Sequence, residues 1–279
     1  MIHGRPIHVF HPTDFSNGDE AAFCHALSVV THAQGHLSLL HIKDPDSRVD
    51  WSDFPSVRST LLRWNRISDS CSVEEFDALG VRVHKVLKSA HHVVKAVTDY
   101  LAEHLPDLLV LSTHRRHGVE RFTHPSLSEA VARAVATPTL FVPRDVAGFV
   151  HAADGRMELR SVLIPVDLDP HPRVAIHETL ELLRILAPPR LRLVFLHVGP
   201  SADIPAMVEP ELQAGWTREV RVRLGPVVET ILATAEEMHA DLIAMGTRRH
   251  HGLGAPFLGS TTEQVLHGAF CPLLSVPHG

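Results

Sequence analysis

The sequence predicts two tandem α/β units, each a parallel, doubly wound sheet flanked by helices. Three observations carry this. The chain has 279 residues, about twice a typical domain. Asp107 to Pro143 aligns without gaps with Asp241 to Pro277 at an offset of 134, and 13 of the 37 positions are identical; unrelated segments agree at roughly one position in 16. Short apolar runs also alternate with helix-period patterns, the order that builds parallel sheets. A second match pairs Val9–Asp14 with Val162–Asp167 at offset 153, so the first half carries 19 more residues between the two matches.

In the second half, Ser161–Val166 reads as a strand and Val174–Leu186 as a helix stopped by Pro188–Pro189. Strands follow at Arg192–Val198 and Glu219–Leu224, then a helix at Val227–Met238 and a strand at Asp241–Gly246. A loop leads to a helix from Thr261 to about His267 and a last strand, Leu273–Val276. Runs such as Leu242–Met245 are apolar on both faces, as strands covered by helices on both sides must be. The first half repeats this order, and its extra residues fall between a strand ending near Ile42 and one at Val81–Val86. Asp46 to Glu75, with Trp51, Phe54 and Trp64, is expected to be a loop plus an extra helical piece. The linker is expected at Arg144 to Glu158, where glycines interrupt the periodicity, giving domains 1–145 and 158–279.

Composition narrows the function. A net charge of −6 argues against a protein held on nucleic acid by phosphate neutralisation. No apolar run approaches the roughly 18 residues of a membrane helix, and Met1 to Asp14 lacks a signal-peptide core. Three cysteines without a CxxC pair suit a reducing compartment, so the expected setting is the cytoplasm, away from membranes. The 23 histidines make the net charge steeply pH-dependent below neutrality.

The informative stretch runs from Met245 through Gly246, Thr247, Arg248, Arg249, Gly252, Gly254 and Gly259 to Ser260 and Thr261. It joins the carboxyl end of a strand to the amino end of a helix, where open α/β sheets collect ligands and unpaired N–H groups receive anions. Here the sequence resembles the universal stress proteins, whose nucleotide-binding members carry Gly-x2-Gly-x9-Gly-[Ser/Thr]. Gly246, Gly259 and Ser260 match, and Arg249 replaces the second glycine. Leu163–Asp167, Leu196–Val198, Leu224–Pro226 and Cys271–Val276 complete the family pattern, so the resemblance covers both halves nearly end to end.

The resemblance implies Rossmann-like, adenine nucleotide alpha hydrolase-like domains. Each would have a five-stranded parallel sheet, and the last strands of the two halves would pair across a pseudo-twofold. It implies ATP or another adenine nucleotide, with Mg²⁺, in the second half: Asp167 and the backbone near Val198 at the adenosine, and Gly246, Gly259, Ser260 and Thr261 at the phosphates. Thr247, Arg248 and Arg249 join the set, the arginines as charged donors to phosphate oxygens. A protein partner of unspecified identity and a homodimer fit this regulatory reading.

The residues also have plainer readings. Ser260-x-x-Glu263 and Ser126-x-x-Glu129 are capping boxes. Asp167 is a candidate turn residue. In the first half Ser112, Arg115 and Pro125 stand where the motif glycines belong, and Pro125 has no N–H to offer, so that half is expected to lack nucleotide while Asp14 and Ser126 persist. His114-x2-His117, His250–His251 and His91–His92 lack companion ligands at zinc spacing, and no nucleophile motif is present. The competing functions are a nucleotide-free interaction scaffold and a slow ATPase.

Overall fold

The computed structural model describes residues 5–70, 72–114, 126–167, 172–200, 209–248 and 259–278. In chain order the first half contains β1 (His8–Pro12), a 3₁₀ turn (Asn17–Asp19), α1 (Glu20–Ala33) and β2 (His36–Lys43). An inserted 3₁₀ turn (Trp51–Asp53), α2 (Val57–Arg63) and α3 (Val73–Ala78) precede β3 (Arg82–Ser89), α4 (Val93–Glu103), β4 (Leu108–Thr113), α5 (Leu127–Ala134) and β5 (Thr139–Pro143). The second half contains β6 (Ser161–Pro165), α6 (Arg173–Leu186), β7 (Leu191–Val198), β8 (Trp216–Arg223), α7 (Val227–Glu237), β9 (Leu242–Arg248), α8 (Ser260–Gly268) and β10 (Leu273–His278). Strand and helix types agree with the sequence-based reading. Boundaries move by a few residues, most at β8, which begins at Trp216 rather than Glu219.

All ten strands lie in one sheet, ordered β3-β2-β1-β4-β5-β10-β9-β6-β7-β8. Among the described strands, pairing is parallel within each half and antiparallel between β5 and β10. At that seam Leu140 faces Leu274, two residues related by the 134 offset, so the pseudo-twofold passes between them. The two halves therefore point their strand carboxyl ends at opposite edges of the sheet. Alternate side chains separate to the two faces: Val9, Leu39 and Val110 pack toward α1 and α6, whereas Phe10, Leu40 and Leu109 pack with residues of α4, α5, α7 and α8. The outer strands β3 and β8 carry charged, partly exposed side chains, which discourages further pairing.

The repeat extends to single hydrogen bonds. Asp107 accepts from the His8 N–H, and Asp241 accepts from the Arg160 and Ser161 N–H groups, tying the starts of neighbouring strands together. Gln34 and Ala187 end α1 and α6 in the same left-handed conformation, at φ 52° and 46°. His41 and His197 each bond through Nδ1 to a carbonyl just past the first strand of their half, at 2.7 and 3.2 Å.

The insertion and the linker hold each other. Trp64 donates from Nε1 to the Ala152 carbonyl at 3.0 Å, and its ring lies where a side chain at Gly155 would stand. His25, fully buried on α1, donates from Nδ1 to the Ala21 carbonyl, because a carbonyl can only accept, and its Nε2 therefore accepts from the Phe149 and Val150 N–H groups. This fixes a neutral ring, and burial pushes its pKa down to about 4. Residues Arg144 to Glu158, read as a linker, thus pack in part into the core, with Phe149 and Val150 fully buried. No helix among the described residues is long and apolar enough to cross a membrane.

A depressed folded-state histidine contributes stability that is complete above the unfolded value near 6.5 and is lost as pH falls toward the folded value. Between those limits His25 should cost on the order of 3 kcal/mol, at about 1.4 kcal/mol per unit. Chemical denaturation across that range should show the loss in the wild-type chain and a flatter profile in His25→Gln.

Candidate functional site

Each half reverses its strand order once, between β1 and β4 and between β6 and β9, and an open sheet has its ligand crevice at the carboxyl end of such a reversal. In the second half the crevice is bordered by the end of β6, the end of β9 and the start of α8. Asp167 lies just past β6 and is exposed; Val198 ends β7 and is half-buried. Gly246 and the buried Thr247 lie inside β9, which continues to Arg248. Arg249, with the remainder of the loop to Leu258, lies outside the described residues. Gly246 has a packing role as well: a Cβ there would stand 3.1 Å from the Ala175 Cβ on α6.

The start of α8 corrects one expectation. Ser260 does not form a capping box with Glu263: the helix begins at Ser260, Gly259 is the N-cap residue at φ 85°, and no side chain caps it. The Glu263 N–H bonds the Gly259 carbonyl instead, and across the seam Arg133 on α5 holds the Glu263 carboxylate at 2.6 Å. The pseudo-twofold mate of that contact pairs His267 on α8 with Glu129 on α5 at 3.2 Å, so each half grips the other's first-turn glutamate. Burial pushes the Glu263 carboxyl up, against the pull of Arg133. The first-half box does form its cap: Ser126 Oγ accepts from the Glu129 N–H at 3.2 Å. The exposed Ser260 and the half-buried Thr261 therefore offer the opening N–H groups of α8, unclaimed by a side-chain cap, at the crevice.

The first-half crevice is built differently. Asp14 occupies the place of Asp167, and its carboxylate is bonded to the Arg144 guanidinium from just past β5. Burial would raise its pKa, but hydrogen bonds from Ser16 and Arg144 hold it below the ordinary carboxylate value. Where the second half has Ile164 and Pro172, the first has His11 and Asp19, both buried, with His11 Nε2 at 3.2 Å from Asp19. His11 Nδ1 faces the Val110 carbonyl at 2.8 Å, so both ring nitrogens face acceptors, an arrangement that favours the protonated ring. Burial alone would lower its pKa; Asp19 outweighs burial and raises it, and the imidazolium in turn holds Asp19 well below the ordinary value. The pair is poorly aligned as a hydrogen bond, so its attraction is mainly Coulombic. A crevice of about 470 Å³ lies beside it, between the Thr13–Glu20 segment and the inserted α2. Sequence reasoning passed over His11, Asp19 and Arg144; the signal for the first was a histidine facing Ile164 in the repeat alignment.

Arg115, His117 and Pro125 lie outside the described residues, as do His250 and His251. Among the described residues no three histidine, cysteine, aspartate or glutamate side chains come together as a metal site.

A family model described as the universal stress protein family matches residues 8–143 and 209–277. Universal stress protein A homologs 2 and 1 of Coxiella burnetii are 44% and 42% identical over 55 and 52 residues, which is 20% and 19% of this chain. Those matches span 37% and 35% of the relatives' own lengths. A universal stress protein from Archaeoglobus fulgidus shares the fold with a TM-score of 0.60 and 18% identity, covering 98% of both chains. A putative universal stress protein from Pseudomonas aeruginosa does so with a TM-score of 0.62 and 18% identity, over 98% of this chain and 93% of its own.

Breaking a buried ion pair on one side costs about 3–5 kcal/mol, whereas replacing both partners by apolar groups is often neutral. His11→Ile and Asp19→Ala should each lower stability by about that amount, and the double variant, closer to the second half's arrangement, should recover most of it in urea unfolding.

Proposed function

The chain belongs to the universal stress protein family, and on that premise we propose that its second half binds ATP or another adenine nucleotide and acts as a regulatory protein of stress response. The observation that carries this is the start of α8: a helix N-terminus whose N-cap is a glycine at φ 85°, with no side-chain cap, beside a strand-order reversal. Gly246, Gly259, Ser260 and Thr261 receive the phosphates, with Thr247, Arg248 and Arg249 flanking them. Asp167 and the backbone at Val198 meet the nucleoside, as the family resemblance implies. The opening N–H groups of α8 and the arginines supply positive potential toward the phosphates, and Mg²⁺ would share their remaining charge. The action in this reading is binding and signalling to another protein, with slow ATP hydrolysis as the alternative. The cytoplasm is the setting that suits Cys24 and Cys271, both free and buried, with burial pushing both thiols up to about 12.

A nucleotide-free scaffold is the rival reading, favoured by Arg249 in the motif and by the packing of Gly246 against Ala175. Titrating the nucleotide-stripped chain with ATP and Mg²⁺ separates the two. One site per chain is expected, weakened at least about tenfold in Gly259→Pro, because proline forbids φ 85° and distorts the helix start. No binding at about 1 mM ATP would establish the scaffold reading instead.

A further inference from the structure

The crevice beside the His11–Asp19 pair belongs to the first half alone. Its walls are the Thr13–Glu20 segment and the inserted α2. The second half is 19 residues shorter over the stretch that holds the insertion, and it has Ile164 and Pro172 where the charged pair stands. Among the described residues none of β4, β5 or α5 lines this crevice, and Asp14 does not. It is thus set apart from the strand reversal on which the nucleotide reading of the second half is centred.

The most buried charge in its wall is a carboxylate with unused acceptor capacity. The Asp19 side chain is 5% exposed, and its Oδ2 faces His11 Nε2 at 3.2 Å. Neither oxygen completes a hydrogen bond within the described residues. The Thr13 and Ser112 hydroxyls stand near enough to favour the ionised form, but out of bonding geometry. An ionised carboxylate accepts up to about four hydrogen bonds, and burying one with none is costly, so the position calls for a donor from outside the protein.

The rest of the wall narrows what that donor is. Glu20 accepts from Arg63 Nη2 at 3.0 Å, which ties α2 to the first turn of α1, and Asp53 accepts the Asp50 N–H at 2.8 Å. Three carboxylates against one guanidinium make the lining negative, even with the protonated His11 beside Asp19 counted. Phe15 and Phe23 supply apolar surface. Phe15 holds φ 61°, a conformation disfavoured for a bulky residue, and ring contacts with His41 at 3.9 Å and Phe54 at 4.9 Å keep it there.

We propose that this crevice binds a small alkylammonium ion, whose N–H groups bond the open acceptor of Asp19 and whose hydrocarbon part lies against Phe15 and Phe23. The class follows from the wall. An anion would meet three carboxylates. A neutral alcohol would bring a donor without a charge, and a charge-assisted hydrogen bond is about twice as strong as a neutral one. A metal ion is disfavoured, since among the described residues no three ligating side chains converge. The volume of about 470 Å³ falls within the roughly 300–1,000 Å³ of small-molecule sites. A second ammonium on the same chain would have the exposed Glu20 and Asp53 to meet.

Calorimetric titration of the nucleotide-stripped full chain with 1,4-diaminobutane, and separately with 1,4-butanediol, tests this at low salt. One site per chain is expected for the diamine, at least about tenfold tighter than for the diol. Asp19→Asn keeps the shape, removes the charge and should weaken the diamine at least about tenfold. Ser59→Leu, at an exposed position of α2, places a larger side chain in the crevice without touching the buried pair; it should weaken the diamine as much while urea unfolding stays close to wild type. Should Asp19→Asn not fold, Ser59→Leu and the diol comparison decide. No saturable heat at about 10 mM diamine, equal affinity for the diol, or binding that either folded variant leaves unchanged would overturn the proposal.

Discussion

The structure depends on the antiparallel pairing of β5 with β10. Each half taken alone would end its sheet on an exposed apolar strand, Leu140 to Val142 in one and Leu273 to Val276 in the other, and an unpaired edge of that composition invites association. Joining the two edges buries them in one ten-stranded sheet and sets the symmetry of everything nearby. Because the dyad falls on Leu140 and Leu274, α5 and α8 meet across it, and their charged residues exchange partners: Arg133 with Glu263, His267 with Glu129. The exchange is compatible with either kind of helix start: α5 keeps its Ser126 cap while Glu129 takes part, and α8 begins at a glycine without a side-chain cap.

Much of this was legible in the sequence, for identifiable reasons. The repeat was visible because both copies keep small landmarks at fixed offsets, such as Asp107 with Asp241 and Pro138 with Pro272, and the structure gives each aspartate the same task of bonding a neighbouring strand's first N–H groups. Buried strands were legible from apolar runs, since coverage on both faces leaves no polar alternation. Ser126 kept its predicted cap because its partners are local. Ser260 did not, since α8 starts one residue earlier, at a glycine N-cap whose carbonyl takes the Glu263 N–H, a shift that the serine–glutamate spacing alone does not reveal. The same holds for Arg144: it follows a strand, opens a segment rich in glycine and alanine, and reads as linker, while its role comes from Asp14, Ser16 and Ser112 in two other segments. The linker itself looked irregular and is nonetheless packed, because His25 and Trp64 satisfy its backbone from outside.

Duplication explains why the two crevices can differ so much without loss of the fold. The strands, the seam and the aspartates that tie strand starts are needed in both halves, so they are retained in both. The strand carboxyl ends are less constrained by packing, and there the halves have separated. The second half has an apolar Ile164 and a bare Gly246; the first has a buried imidazolium and carboxylate, a serine, and an arginine reaching across.

The buried pair in the first half bears on how that site is held. An imidazolium beside a carboxylate in the core is a poor source of net stability, because desolvation of both ions offsets most of their attraction. Its retention is better understood through position: His11 anchors to the Val110 carbonyl on the neighbouring strand and presents its charge to Asp19, which stands at the start of α1 directly after the Asp14 to Gly18 turn. That turn holds Phe15 in a left-handed conformation and supplies both oxygen partners of Arg144 outside β4. The pair therefore fixes the end of the segment on which the guanidinium rests. The second half has Ile164 and Pro172 at these two positions, so the fold does not require a charged pair there. What the polar arrangement adds is a charged wall beside the first-half crevice.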